Sequence, residues 1–478
     1  MRLASLKMQK SVVAAALTGL ALRLAAVRFF PTEGGDTPAY LQLASNLLDK
    51  HVYGLLSAGT VLPTDARPPG YPLFVAAVYS VAGRSESAVL LAQVLLDLAS
   101  CFLIAALAAR LAPQPAKDRV WLAALWLAVL CPFLANYAAV PLTEVLAASL
   151  SAATLLLLVR AWQREEAGAA SCDRAGWLLA GIAAGLATLV RAESPLLLAA
   201  AAPAIVTTCV ARGQWLRMVR AATWLAAGLL LPLIPWGVRN AVTLGRVQLL
   251  AARYAESSGE FVPRGFYAWT NTWLVRFRDV YLVPWKLEDQ PIQIDDLPWY
   301  AFDSPLERER VARLLDQYND DLAVSPRLDS EFAALARERT ARQPLRTWLW
   351  VPAQRIATLW FTPRVELLPV SGHLTPFWEK WEYDRGDLLV TLGAGAVNLI
   401  YVLLAIAGCW EVLAGHRLRV GGRAPLPLPP APPGVMFLFA YLVVRTLFLT
   451  HVETPEPRYV LVCFPAVIAV AAQAWRRL

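Results

Sequence analysis

The sequence predicts an all-α polytopic membrane protein of about ten transmembrane helices. It also predicts interfacial helices in a long first loop and a partly helical segment between two late spans. Three observations carry this. Hydrophobic residues make up 57% of the 478 positions and the mean hydropathy is +0.47, against roughly 45–50% apolar residues in soluble domains. Charged residues are only 17% and gather at the ends of apolar runs. Basic clusters recur at every second connecting segment, the signature of alternating membrane topology.

Crossing the hydrocarbon core takes about 20 apolar residues. Runs of that kind lie near 11–28, 87–110, 120–136, 143–161, 176–191, 195–211, 221–238, 387–413, 435–451 and 459–475. The first follows Arg2, Lys7 and Lys10. It is long for a signal peptide, Arg23 interrupts it and no small-x-small cleavage site follows, so it reads as a retained span. Clusters such as Arg110/Lys117/Arg119, Arg160/Arg164/Arg174, Arg212/Arg217/Arg220 and Arg417/Arg419/Arg423 flank one set of connections. The opposite short loops hold Arg191 and Arg458. This asymmetry predicts cytoplasmic termini and two long outer segments, 29–86 and 239–386. The organisation that follows is a transmembrane module over 1–238, an outer segment over 239–386, and carboxyl-terminal spans over 387–478 with a proline-rich linker at 424–434.

A net charge of +8 is compatible with nucleic acid, but its distribution is that of membrane topology, so no nucleic-acid partner is expected. Cys101, Cys131, Cys172, Cys209, Cys409 and Cys463 avoid the outer segments and lack zinc-ligand spacing, so they read as small buried hydrophobes. Half of the 18 tryptophans fall in 239–386, which predicts a segment lying largely on the membrane surface. Within it, Ser304-Pro305-Leu306-Glu307 forms a capping box opening a helix to about Tyr318. A second helix is expected from near Asp329 to before Pro344, and an interfacial one over Leu345–Phe361.

The first outer loop carries the densest chemistry. It opens with Glu33-Gly34-Gly35-Asp36-Thr37-Pro38-Ala39-Tyr40 and continues as an amphipathic segment to Leu48. It closes with Arg67-Pro68-Pro69-Gly70-Tyr71-Pro72, followed by the apolar piece Leu73–Val81. That piece is too short to span and reads as an interfacial or re-entrant helix. Asp97, Arg23 and Arg445 lie inside predicted spans. Intramembrane charges face bundle interiors in pairs or line transport paths, and Asp97 with Arg23 is a candidate pair.

These motifs resemble the integral-membrane glycosyltransferases of the GT-C fold, and among them bacterial proteins akin to protein O-mannosyltransferases and lipid A aminoarabinose transferase. Besides the first loop, the resemblance rests on Pro141-Leu142-Thr143-Glu144, Leu189-Val190-Arg191, Gln343-Pro344 and Arg458-Tyr459 with Pro465. It implies a multi-pass protein of the bacterial inner membrane with its site on the periplasmic side. It also implies a polyprenyl-phosphate sugar donor and a glycan, lipid or protein acceptor bearing a hydroxyl, with inversion at the anomeric carbon.

One carboxylate suffices for such a reaction, because the lipid phosphate departs without a proton. Asp36 is the candidate base; the residues alone equally allow it to cap the following helix. Glu144 is a second catalytic candidate, or a carboxylate favoured by a helix N-terminus. Arg67, Arg191 and Arg458 are candidate donor-phosphate ligands, or interfacial arginines that snorkel. Gly35, Tyr40 and Tyr71 are expected beside the substrate. No cofactor is assigned; a divalent metal is the alternative, with His451 as the candidate ligand. The competing classes are a transporter or flippase of lipid-linked sugars, in which Asp97, Arg23 and Arg445 matter more than Asp36, and a ligase of longer glycans carried on a diphosphate.

Overall fold

The computed structural model describes residues 2–167, 173–199, 201–203, 205–206, 210, 213–250, 261–419 and 433–477. In chain order, the first long helix is α1 (Arg2–Phe29), then α2 (Thr37–Lys50), a hairpin of β1 (Gly54–Ser57) and β2 (Thr60–Pro63), and α3 (Gly70–Ala82). There follow α4 (Glu86–Leu111), α5 (Lys117–Val129), α6 (Pro132–Tyr137), α7 (Glu144–Glu166), α8 (Arg174–Val190), α9 (Leu196–Ala199) and α10 (Trp215–Leu244). The later helices are α11 (Arg264–Thr270), α12 (Phe277–Leu282), α13 (Pro305–Asp321), α14 (Pro326–Arg342), α15 (Val351–Phe361), α16 (Phe377–Tyr383), α17 (Arg385–Arg419), α18 (Pro433–Leu449) and α19 (Phe464–Ala471).

Among the described residues, six helical stretches are long and apolar enough to cross a membrane: Met8–Phe29, Glu86–Leu111, Glu144–Glu166, Trp215–Leu244, Arg385–Leu413 and Pro457–Arg476. Gly70–Ala82, Arg174–Val190 and Gly434–Leu449 are shorter apolar helices. The expected run 120–136 is broken, because α5 ends at Val129 and Pro132 opens α6; proline cannot donate the bond a continuous helix needs there. Residues 200, 204, 207–209 and 211 of the run 195–211, the linker 424–432, Cys172 and Cys209 lie outside the described residues. Cys101, Cys131, Cys409 and Cys463 are free thiols.

The chain forms two compact units. The first holds Met1–Ser258, Pro363–Val444 and Leu461–Leu478. Its interior contains the charge pair expected from the sequence: Arg23 Nε lies 2.6 Å from Asp97 Oδ2, both fully buried. The guanidinium also donates to the carbonyls of Gly19 and Val129, so this charge is locked into a structural lattice.

The second unit holds Gly259–Thr362 and Arg445–Val460. Here the tryptophan reading needs correction. Trp269 and Trp273 do not lie at a surface; they pack with Phe266, Tyr318, Phe332 and Leu335 in an aromatic-rich hydrophobic core. Trp299, Trp348 and Trp350 are exposed. Half of the expected capping box forms: Glu307 N donates to Ser304 Oγ at 3.2 Å, while the Glu307 carboxylate accepts at 3.3 Å from Asp303 N, one residue ahead of the cap. Arg355 is buried and donates to the carbonyls of Leu274, Thr450 and Val452 and to Asn271 Oδ1.

Candidate active site

The first long loop folds back on itself in the first unit. Tyr53, just ahead of β1, donates through its hydroxyl to the Arg67 carbonyl at 2.9 Å. Arg239 of α10 donates to the carbonyls of Tyr53 and Thr64 and stacks over the Tyr53 and Trp236 rings. Leu43, Tyr53, Leu189, Leu233 and Trp236 close the cluster beneath. The start of α3 presses so closely on the end of α8 that a Cβ at Gly70 would meet the Leu189 carbonyl oxygen at 2.7 Å. Only glycine fits in the Pro-Pro-Gly-Tyr turn at that approach.

This packing sets Asp36 beside Arg67, with Arg67 Nη2 3.0 Å from Asp36 Oδ1. Both side chains are about one quarter exposed. Asp36 precedes α2, yet its side chain makes no capping hydrogen bond. The helix-cap reading is therefore not the role its carboxylate takes. Thr37 organises the loop instead. Its Oγ1 accepts from Gly34 N and donates to the Pro141 carbonyl, each at 3.1 Å. Gly34 is held so close to Leu142 that a Cβ there would meet Leu142 Cδ1 at 2.7 Å, while Gly35 has open space at its Cα.

The Pro141 link brings in the second acid. Glu144 is the first residue of α7, where the helix dipole favours a carboxylate, and it is almost fully buried. Its Oε1 lies 3.5 Å from Arg191 Nη1, and Arg191 Nε lies 3.2 Å from Glu193 Oε1. Arg191 closes α8 in an extended conformation, which turns it toward these two acids.

Tyr40 joins the two ion-pair groups. Its buried ring meets Tyr71 edge-on at 5.1 Å, and Tyr71 donates to Gln93 Oε1 at 2.7 Å. Burial and the Asp36 carboxylate push the Tyr40 hydroxyl well above the ordinary tyrosine range; Arg67 and Arg191 oppose that and Glu144 adds to it. Tyr40 therefore stays a neutral hydroxyl within the field of all four charged groups. Asp36, Arg67, Tyr71, Glu144 and Arg191 thus gather around Tyr40, and a Cβ at Gly35 would meet nothing within 4 Å. The sequence reading gave no role to Thr37, Tyr53 and Arg239, and took Gln93 only as an immersed polar residue one turn before Asp97.

Arg458 and His451 belong to the second unit. Arg458 Nε lies 2.5 Å from Glu456 Oε2, and His451 Nδ1 contacts the Leu447 carbonyl and Thr450 Oγ1. Among the described residues, no three His, Cys, Asp or Glu side chains gather as metal ligands. The donor set at Asp36 and Glu144 is already engaged by arginines.

A multi-pass helical membrane protein with paired carboxylates and guanidiniums at the helix ends is the class that this fold and site define. Residues 66–238 match the family described as dolichyl-phosphate-mannose-protein mannosyltransferase. The resemblance to GT-C glycosyltransferases read from the motifs is thus found over the stretch holding Arg67, Tyr71, Glu144 and Arg191, with Asp36 ahead of it. No curated protein matches the chain. Among solved structures, the archaeal oligosaccharyltransferase AglB from Archaeoglobus fulgidus, in complex with an inhibitory peptide and a dolichol-phosphate, is 12% identical with a TM-score of 0.49. That match covers 98% of this chain and 50% of that one, so this chain spans about half its length. ArnT from Cupriavidus metallidurans, bound to undecaprenyl phosphate, is 13% identical with a TM-score of 0.41 over 97% of this chain and 77% of that one.

Proposed function

We propose that the protein transfers a sugar from a polyprenyl-phosphate donor to an acceptor hydroxyl on the periplasmic face of a bacterial inner membrane. The observation that carries this is the Asp36–Arg67 pair at 3.0 Å, set beside the buried Glu144–Arg191 pair. A carboxylate and a guanidinium in contact supply the two things the reaction needs. Asp36 takes the proton of the acceptor hydroxyl as its oxygen bonds to the anomeric carbon. The bond from that carbon to the phosphate oxygen breaks, and Arg67 stabilises the charge that the departing lipid phosphate gains. A single displacement of this kind inverts the anomeric centre.

Arg191, shared between Glu144 and Glu193, acts chiefly to orient Glu144. Glu144 in turn positions the acceptor through the neutral Tyr40 hydroxyl. No step is routed through a metal. The Arg23–Asp97 lattice supports the transferase reading over a transporter, since that charge is already satisfied inside the bundle.

The test is an assay of the purified protein in nanodiscs loaded with a short-chain polyprenyl-phosphate hexose and a pool of envelope acceptors. The reading expects free polyprenyl phosphate to appear in step with a glycosylated product. Loss of donor from one leaflet with its sugar still attached would replace it with a flippase.

A further inference from the structure

The second unit contains a cavity of about 580 Å³ that plays no part in the site above. Its size falls within the roughly 300–1,000 Å³ of small-ligand sites. Its walls combine aromatic faces with planar polar groups: Trp299, Tyr300 and Trp350 beside Arg276 and Gln354. We infer that this cavity binds a pyranose-containing glycan. Binding is measured without transfer, so the inference stands apart from the transferase reading.

The chemistry of the walls selects this ligand class. A pyranose ring has a face of C–H groups and an equator of hydroxyls. Exposed indole rings take the face, and forked donors and acceptors take the hydroxyls. Trp299 is 85% exposed and Trp350 62% exposed, which leaves large aromatic surface open at the cavity. Trp299 stands edge-on to Tyr300 at 5.6 Å, and Arg276 lies over the Tyr300 ring at 5.9 Å. A lipid chain fits such walls poorly, because Arg276, Asp303 and Arg346 all line them.

The walls are also set in advance. Tyr300 donates through its hydroxyl to Asp279 Oδ2 at 2.5 Å. Arg346 grips Asp303 through both terminal nitrogens, at 2.5 and 3.2 Å. Thr358 Oγ1 donates to the Val275 carbonyl at 3.1 Å. A ligand entering this cavity meets side chains that need little further ordering.

The experiment is saturation-transfer NMR on the full chain in nanodiscs, with maltohexaose, mannohexaose and a trigalacturonate as probes. Trp299→Ala and Arg276→Gln change exposed side chains and leave the core of the unit intact. At least one probe is expected to bind through its ring C–H protons, and each substitution to weaken it by about tenfold, the scale of one lost aromatic or charge-assisted contact. Trp378→Ala, an exposed tryptophan of the first unit, is expected to leave binding unchanged. Absence of binding by all three probes at millimolar concentration would overturn the inference. So would binding that neither substitution alters. Quenching of Trp299 by brominated lipid would also overturn it, by making that wall a membrane contact.

Discussion

Thr37 Oγ1 donates a hydrogen bond to the Pro141 carbonyl at 3.1 Å, and through it the loop that carries Asp36 is fastened to the turn that leads into Glu144 at the start of α7. Thr37 is 1% exposed, so the bond has no water to replace it. Thr37→Val keeps the shape and removes the hydroxyl, which leaves the Gly34 N–H and the Pro141 carbonyl without this partner. The loss is expected to lie at about 1–3 kcal/mol. Thermal unfolding in detergent should show it, together with a fall in sugar transfer larger than the fall in folded protein.

Arg67 is expected to act on the donor more than on the fold. Arg67→Gln removes a charge-assisted contact to the lipid phosphate, for which about 1.5–3 kcal/mol, or roughly 10–100-fold, is the ordinary scale. Steady-state kinetics with varied donor should show that loss in kcat/KM. Arg67→Lys keeps a positive charge without the planar fork and is expected to recover only part of it.

The Arg23–Asp97 pair tests whether the bundle charges are structural. Either Arg23→Leu or Asp97→Leu alone strands a buried charge and is expected to destabilise by about 3–5 kcal/mol. The double substitution strands none and should recover most of that. Yield and thermal stability of the three variants in detergent measure it. A double variant that folds well yet loses all transfer would instead give the pair a functional role.

The acid response of the second unit should centre on Asp303. Burial alone raises its pKa, but Arg346, Arg339 and Arg342 outweigh burial and hold the carboxyl below the usual range. A depressed carboxylate contributes stability that is present above its unfolded pKa of about 3.9 and is lost as pH falls through the folded value. Protection factors for hydrogen exchange in Pro305–Arg342, corrected for the intrinsic pH dependence of exchange, should therefore hold at neutral pH and fall only below about pH 4. Arg346→Gln brings the folded pKa closer to the unfolded one, so it is expected to lower protection already at neutral pH and to shrink the further loss in acid.

Much of this was legible in the residues. Charge alternation and run length located the long helices Glu86–Leu111, Glu144–Glu166 and Trp215–Leu244, because hydropathy over that length has few other causes. The Ser304 cap on the Glu307 N–H was legible because it is a local bond between side chain and backbone. What was not legible is long-range. The β1–β2 hairpin (Gly54–Ser57 with Thr60–Pro63) has only four residues per strand and is held from a distance by Arg239. Trp269 and Trp273 have the composition of a membrane belt, and only tertiary packing makes them a core. In the site, the order Asp36, Arg67, Glu144, Arg191 was readable, but not its pairing into Asp36–Arg67 and Glu144–Arg191. That pairing depends on how α3 meets α8 at Gly70.

The most direct measurement is sugar transfer by wild type and Asp36→Asn at matched expression, with a thermal unfolding curve for each. Because the Asp36 side chain caps nothing, the substitution should leave the unfolding midpoint nearly unchanged. Transfer should fall by about 10²–10⁴-fold, the ordinary contribution of a positioned base. An Asp36→Asn variant that transfers sugar at close to the wild-type rate would contradict the account, and would leave the Asp36–Arg67 pair as a fastening of the loop alone.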